Sequence, residues 1–275
     1  MNKRFGQNFL INPGARDKIL KILSPGTQDS VWEIGPGIGA MTRKLAGRVK
    51  KLTVFEIDRG FCRILADQFE NTPGWTLVEG DFLKTWPFIF SQEGFPDCIL
   101  GNLPYNAGSV MIADLVKTEG ITSRMVFTLQ KEVVKRMTAA PGTRDYSGFS
   151  ALCQFVCDVT GYGDLHSGSF FPSPRVVSSI VSLIPHFRYS GVNRDIFFQL
   201  VNDMFAARRK TLRNNLLNGA LARLYGKDVM AAVLEAENLG ENRRGEELDF
   251  GEIIDLTDCI NGMLQDTETV QIEQD

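Results

Sequence analysis

The sequence predicts an α/β protein: a mostly parallel, doubly wound sheet over the first two-thirds of the chain, followed by a small all-helical domain. Three observations carry this. Short β-rich runs alternate with helical patterns as far as about residue 188, as they do when crossover helices join parallel strands. A glycine-rich stretch, "EIGPGIGA", follows the first of those runs and opens a helix. Beyond residue 188 the β-branched runs give way to helical spacing.

Taken in order, "SVWEIG" (30–35), "KLTVFEID" (51–58), "WTLVEGD" (75–81), "DCILGN" (97–102), "RMVFTLQ" (124–130) and "SIVSLIP" (179–185) read as strands. They are rich in the β-branched and aromatic residues that suit a buried sheet. "GAMTRKLAGRV" and "GFCRILADQFE" lie between the early strands and are long enough for crossover helices. "FVCDVTGYGDLH" (155–166) leads to "SIVSLIP" with no clear helix between, so an antiparallel hairpin is expected to close one edge. The helical domain rests on "DIFFQLVNDMFAARRKTLRNNLLNGALARLYG", "DVMAAVLEAENLG" and "DFGEIIDLTDCINGML". From about residue 265 a polar tail is expected to be disordered. The expected domains are therefore 1–188 and 189–275.

Composition narrows the class. The 275 residues are 43% hydrophobic and 23% charged, as in an ordinary soluble globular protein. No apolar run approaches the ~20 residues that cross a bilayer, and "MNKRFGQNFLINPG" lacks the apolar stretch of a signal peptide. Cys62, Cys98, Cys153, Cys157 and Cys259 are scattered and odd in number, which fits reduced thiols in a cytosol. Cys153 and Cys157 have no second Cys or His pair to complete a zinc site, so no metal is expected. The net charge of −3 argues by itself against a nucleic-acid partner. Its distribution does not: residues 189–275 hold 9 Lys/Arg against 16 Asp/Glu, and the rest of the chain 21 against 17. Phosphate binding depends on local patches.

Gly35, Gly37 and Gly39 let the backbone turn sharply and approach a ligand. Gly35, Gly37 and Ala40 also fit G-x-G-x-x-G/A, so a dinucleotide fold and a plain tight turn both stay open. Glu56 ends the second strand about twenty residues on, where a ribose-binding acid stands. Asp81 closes the third strand in "VEGDFL", either as an acceptor for an adenine amine or as a helix N-cap. Asn102 closes the fourth. Four candidate groups at four successive strand ends converge where open α/β sheets bind ligands. Asp81 and the motif at Asn102 favour S-adenosylmethionine over NAD.

"NLPY" (102–105) resembles the catalytic motif of amino-methyltransferases that act on adenine in nucleic acid. Four further stretches narrow the match: "RFGQNFL" (4–10), "LQKEVVKRMTAAPGTRDYSGFS" (129–150), "FFPSPRVVSSIV" (170–181) and "FAARRKTLRNNL" (205–216). Together they resemble the small-subunit (16S) rRNA adenine dimethyltransferase family over nearly the whole chain. The chain departs from that pattern at Asn106-Ala107-Gly108-Ser109, at Val177 and at Ser147-Gly148-Phe149. The resemblance implies a Rossmann-like class I S-adenosylmethionine-dependent methyltransferase sheet. It implies cofactor contacts at Asn8, Leu10, Gly35, Glu56, Asp81 and Asn102, to which the glycine loop adds Gly37.

The same resemblance gives the motif its chemistry. Asn102, with the Leu103 carbonyl, would accept both hydrogens of an adenine amine, whose lone pair is otherwise delocalised into the ring. An amide has no usable basicity, so it acts by position and electrostatics. Tyr105 would stack on the extruded base, and Pro104 would fix the angle between the two. Phe170 would either cover the other face of the base or pack in the core. Arg208, Arg209, Lys210 and Arg213 are expected on one helix with Phe205, Leu212 and Leu216 as its apolar stripe. They face rRNA phosphates, form a solvated face, or pair with acids across a domain interface. The implied activity is dimethylation of two adjacent adenosines near the 3′ end of small-subunit rRNA during ribosome assembly. The implied protein is a cytoplasmic monomer whose partner is the small ribosomal subunit, with no membrane association. The alternatives are an Erm-type large-subunit rRNA methyltransferase and a non-catalytic ribosome-assembly or transcription factor of the same family.

Overall fold

The computed structural model describes residues 8–272, with side chains as far as residue 264. Contacts divide the chain into two compact units: Met1–Thr138 with Val156–His186, and Ala139–Phe155 with Phe187–Asp275. A single cut at 188 therefore misplaces 139–155. That stretch ends in a helix whose Phe155 stacks on Phe197 at 3.8 Å between ring centroids, so it belongs with the helical unit.

The first unit opens with β1 (Phe9–Leu10) and α1 (Pro13–Leu23), then alternates through β2 (Ser30–Ile34), α2 (Thr42–Leu45), β3 (Lys51–Glu56), α3 (Arg59–Phe69), β4 (Trp75–Glu79) and α4 (Phe82–Glu93). It continues with β5 (Cys98–Asn102), α5 (Gly108–Lys117), β6 (Arg124–Gln130) and α6 (Lys131–Met137). The chain passes through α7 (Gly148–Val156), then closes the unit with β7 (Cys157–Leu165), β8 (Phe170–Phe171) and β9 (Ser178–Pro185). Seven strands form one sheet in the order β4-β3-β2-β5-β6-β9-β7. The first five are mutually parallel, and β9 runs antiparallel to both β6 and β7. The antiparallel edge is the one the sequence predicts.

Alternation along the strands gives the sheet two buried faces. Val31, Leu52, Val54, Cys98 and Leu100 join Ala15, Ile19 and Leu23 of α1 in one cluster. On the other face Trp32 and Phe55 meet Phe82 and Trp86 of α4, with Trp32–Phe55 and Phe55–Phe82 edge-on at 5.2 and 5.1 Å. The Trp86 indole N–H donates to Asp114 at 2.8 Å, so the ring is buried without stranding its donor. β1 and β8 form a separate two-stranded sheet, pairing Phe9 with Phe171 and Leu10 with Phe170. Among the described residues no helix is long and apolar enough to cross a membrane.

The second unit consists of α7, α8 (Arg194–Met204), α9 (Leu212–Leu217), α10 (Ala220–Tyr225), α11 (Lys227–Ala236) and α12 (Phe250–Ile272). Buried Asp203 accepts from the Leu221 N–H at 2.8 Å and from Gln199 at 3.0 Å, tying α8 to the start of α10. The backbone of α12 stays helical through Ile272, where the sequence suggests a disordered tail from about 265. Polar composition reports solvation there, not the backbone state.

Candidate active site

The parallel strands bring their carboxyl ends together where the order reverses between β2 and β5. In such sheets a crevice opens at that switch point. Here it is a cleft of about 230 Å³, lined by Asn8, Gly35, Gly37, Glu56, Asp81 and Asn102 through Ala107, among others. Gly35 follows β2, Glu56 ends β3, Asp81 follows β4, and Asn102 ends β5. The topology thus brings together what the sequence spreads over some seventy positions.

Gly35, Gly37 and Gly39 all take positive φ, at 67°, 57° and 78°, a region that costs a side chain strain. Gly37 has a second reason to be glycine. A Cβ there would lie 2.7 Å from the Phe9 ring, so the ring packs directly on the loop backbone and leaves no room for a side chain. Glu56 secures the same loop from below. Its carboxylate is almost fully buried, and it accepts the Gly37 N–H at 3.0 Å and the Asp58 N–H at 2.9 Å. Burial pushes its pKa up, and those two hydrogen bonds pull the other way.

Asn102 is half-buried, and its side-chain N–H donates to the Asn8 carbonyl at 2.6 Å. With one amide N–H on the Asn8 carbonyl, the orientation of the amide is set and its oxygen is the group's acceptor. The Leu103 N–H bonds the Thr128 carbonyl at 3.1 Å, anchoring the strand end to β6. The Pro104 carbonyl then takes the Ala107 and Gly108 N–H groups at 3.1 and 2.8 Å, turning the chain into α5. The Tyr105 hydroxyl and the buried Ser178 hydroxyl lie 2.6 Å apart. This fixes the ring's azimuth, and burial pushes the phenol pKa up. An amide with a directed oxygen and an aromatic ring clamped by a second strand therefore share one rim.

Asp81 caps α4, its carboxylate accepting the Leu83 N–H at 3.1 Å, and it also lines the cleft. Two sequence-predicted residues stand elsewhere. Phe170 is only 2% exposed and belongs to the apolar cluster beside Ile180 and Leu165. It does not line the cleft. The pairing of β8 with β1 aims it inward beside Leu10, leaving its neighbour Phe171 outside at 59% exposure. Leu10 lies in the same cluster and lines an adjoining cavity instead. Residues 4–7 of the "RFGQNFL" stretch fall outside the described residues. The cleft also uses Phe9, Phe55, Ile57, Phe82 and Met111, which the sequence does not single out. Ile57 left one legible trace, an isoleucine directly after an acidic strand end; the structure leaves it 41% exposed.

The basic cluster lies in the second unit and is not on one helix. α8 ends at Met204 and α9 begins at Leu212, so Arg208, Arg209 and Lys210 occupy the turn, and Arg213 alone is helical. Side chains stabilise the break: Thr211 caps α9 by accepting the Asn214 N–H at 3.2 Å. Asn215 donates to the Met204 and Ala207 carbonyls at 2.8 and 3.2 Å. These are the orphan groups a helix end must satisfy. Arg208 pairs with Glu246 of the same unit at 2.6 Å and donates to the Arg144 carbonyl. Arg209, Lys210 and Arg213 make no ion pair among the described residues.

Comparison with known proteins agrees along most of the chain. The family model for ribosomal RNA adenine dimethylase matches residues 1–256. The Ribosomal RNA small subunit methyltransferase A of Treponema pallidum subsp. pallidum is 40% identical over 266 residues, covering 96% of this chain and 92% of the relative. That of Marinobacter nauticus is 37% identical over 277 residues, covering 98% and 94%. Among solved structures, a dimethyladenosine transferase from Plasmodium falciparum is similar with a TM-score of 0.77 at 28% identity, over 90% of this chain and 95% of that one. The 23S rRNA methyltransferase ErmE reaches 0.65 at 20% identity, over 92% of this chain and 100% of that one. That second likeness speaks for the fold alone.

Proposed function

The chain belongs to the ribosomal RNA adenine dimethylase family, and from that premise we propose that it methylates adenine amines of small-subunit rRNA. The reaction carries methyl groups from S-adenosylmethionine to N6 of two adjacent adenosines near the 3′ end, giving dimethyladenosines. One observation supports this most: the Asn102 amide, oriented by Asn8, shares the rim of the cleft with a Tyr105 ring held by Ser178. The cofactor suits the donor set. Glu56 keeps a buried carboxylate for ribose hydroxyls, Asp81 an acceptor for an adenine amine, and Gly35 and Gly37 leave room for the backbone to approach. When bound, S-adenosylmethionine supplies an electrophilic sulfonium methyl.

The remaining steps belong to the chain's own residues. Asn102 and the Leu103 carbonyl accept the hydrogens N6 carries, two before the first transfer and one before the second, drawing nitrogen toward tetrahedral geometry and its lone pair out of conjugation; the proton each transfer displaces from N6 passes to solvent. This stabilises charge as it develops, without a general base. Tyr105 gives the extruded base a face to stack on. Arg209, Lys210 and Arg213 meet rRNA phosphates. The protein works in the cytoplasm, as a monomer, on the assembling small subunit. The test is incubation with methyl-labelled cofactor and under-methylated small subunits, large subunits or naked rRNA, followed by mapping of the label. Two adjacent labelled adenines in the small subunit are expected. Label confined to the large subunit would replace this reading with an Erm-type activity, and no label at all would leave a binding protein.

A further inference from the structure

Beside the cleft, the first unit holds an apolar shelf open to solvent. Ile11, Ile38, Ile64 and Phe171 are 47, 40, 45 and 59% exposed, and with Phe61 they line one shallow depression. Phe9 lines both this depression and the cleft, so the shelf begins at the cleft's rim. Its frame is well tied. Phe171 is held by its pairing with Phe9, whose ring meets Phe61 edge-on at 5.3 Å. The Ile11 N–H donates to the Ser169 carbonyl at 2.8 Å.

Scattered exposed apolar residues need no explanation, whereas a contiguous group beside a ligand cleft marks a contact surface. The charges around it say what kind. Arg16 and Arg43 line the adjoining cavity together with Ile11 and Ile38; its one acid, Glu33, is buried and accepts from the Thr42 hydroxyl. Arg16 donates to the Ile11 carbonyl at 2.8 Å and Arg43 to the Gln68 side chain at 2.9 Å. Neither meets a carboxylate among the described residues. The one acid lining the shelf, Asp58, is occupied in capping α3, accepting the Gly60 and Phe61 N–H groups at 2.8 and 3.4 Å. An exposed aromatic ring on a shelf whose Ile11 and Ile38 also border two guanidinium groups free of direct ion pairs among the described residues has the composition of a single-stranded nucleic-acid platform.

We propose that this shelf receives a nucleotide of the RNA substrate that flanks the target adenosine. Its base stacks on Phe171 against Ile11 and Ile38, and its phosphate lies toward Arg16 and Arg43. The proposal rests on the reading of the chain as an RNA methyltransferase. Its logic is that extruding one base into the cleft unstacks the neighbour, and the rim of that cleft then offers the neighbour a replacement surface. Phe171 thereby acts on substrate affinity, not on the transfer step.

The test uses the full chain with under-methylated small subunits and compares wild type with Phe171→Ala, Phe171→Trp and the double variant Arg16→Gln/Arg43→Gln. Phe171→Ala is expected to raise KM for the subunit about tenfold, the size of one lost base stack, with kcat and cofactor affinity within about twofold. Phe171→Trp should restore KM. The arginine variant should raise KM and flatten its salt dependence by about two phosphates. A KM for Phe171→Ala within about twofold of wild type overturns the proposal. So does a parallel fall in cofactor affinity, which would make the shelf part of the cofactor site. A wild-type dimer that Phe171→Ala dissociates overturns it too, in favour of a contact between copies. Wild type that transfers no methyl group to the subunit refutes the RNA reading and this proposal together. Wild-type transfer with an unaffected Phe171→Ala refutes the shelf alone.

Discussion

The side-chain N–H of Asn102 donates to the backbone carbonyl of Asn8 at 2.6 Å, joining a strand end to a segment 94 residues earlier. Because only the donor half of the amide is used, the bond settles which way the acceptor half points. Asn102→Ala should therefore cut methyl transfer by a factor on the order of 100–1000, or about 3–4 kcal/mol, the usual cost of one preorganised polar group at a reacting centre. Asn102→Asp should be no better, since a carboxylate oxygen would oppose the Asn8 carbonyl. Single-turnover transfer at saturating cofactor, with binding measured separately, checks this. A rate within about threefold of wild type would make Asn102 a turn residue, and a collapse of binding alongside the rate would make it mainly a cofactor ligand.

Glu56 joins two functions in one carboxylate. It holds the Gly37 and Asp58 N–H groups and faces the cleft. Glu56→Ala strands the buried Gly37 N–H, at ~1–3 kcal/mol, leaves the part-buried Asp58 N–H to water, and removes the charged acceptor proposed for the ribose. Cofactor affinity should fall about a hundredfold or more, while the stability change stays small, because the lost hydrogen bonds are offset by relief of a desolvated charge whose pKa burial raises. Unchanged affinity by calorimetry would sink the ribose assignment even if stability fell.

Much of this site was legible in the sequence, and the reason is topological. Strand ends can be read from hydrophobic runs, and a parallel sheet obliges Gly35, Glu56, Asp81 and Asn102 to meet at one edge. What stayed hidden depended on segments too short to carry a period. β1 and β8 have two residues each, so nothing in the sequence says that Phe170 turns inward and Phe171 outward. The break between α8 and α9 was hidden for another reason. Apolar spacing continues across it through Phe205, Leu212 and Leu216, while Thr211 and Asn215 cap the gap locally. Capping residues within a charged run are easily read as helix interior.

Glu33 on β2 is 3% exposed and accepts from the Thr42 hydroxyl at 2.8 Å. Burial, the largest cause, and the nearby Glu56 charge raise its pKa to about 7 from 4.5. A folded-state pKa above the unfolded one means that the native protein binds the extra proton. Stability from this group is thus present below about pH 4.5 and is lost as pH rises toward 7. Glu33→Gln keeps an acceptor for Thr42 without the ionisation. It should be more stable than wild type at pH 8, by up to about 3 kcal/mol, and the two should converge near pH 4. Denaturant unfolding across that range checks it. A difference that does not vary with pH would mean that Glu33 does not titrate there.

Arg208, Arg209, Lys210 and Arg213 look alike in sequence, but the structure separates them. Arg208 is engaged by Glu246 and the Arg144 carbonyl, whereas the other three have no such partner among the described residues. Neutralising Arg209, Lys210 and Arg213 together should therefore weaken subunit binding and lower its salt slope by about three, close to one per lost phosphate contact. Unfolding stability and cofactor affinity should stay put. Arg208→Gln should do the reverse, costing stability by under about 1 kcal/mol for a half-exposed pair with little change in slope. The two variants are compared by subunit binding over a salt series and by denaturant unfolding. If the triple variant leaves the slope unchanged, the three cations are a solvated turn. If Arg208→Gln shifts the slope as much as one member of the trio does, its pairing with Glu246 yields to the phosphate, and all four residues form the contact.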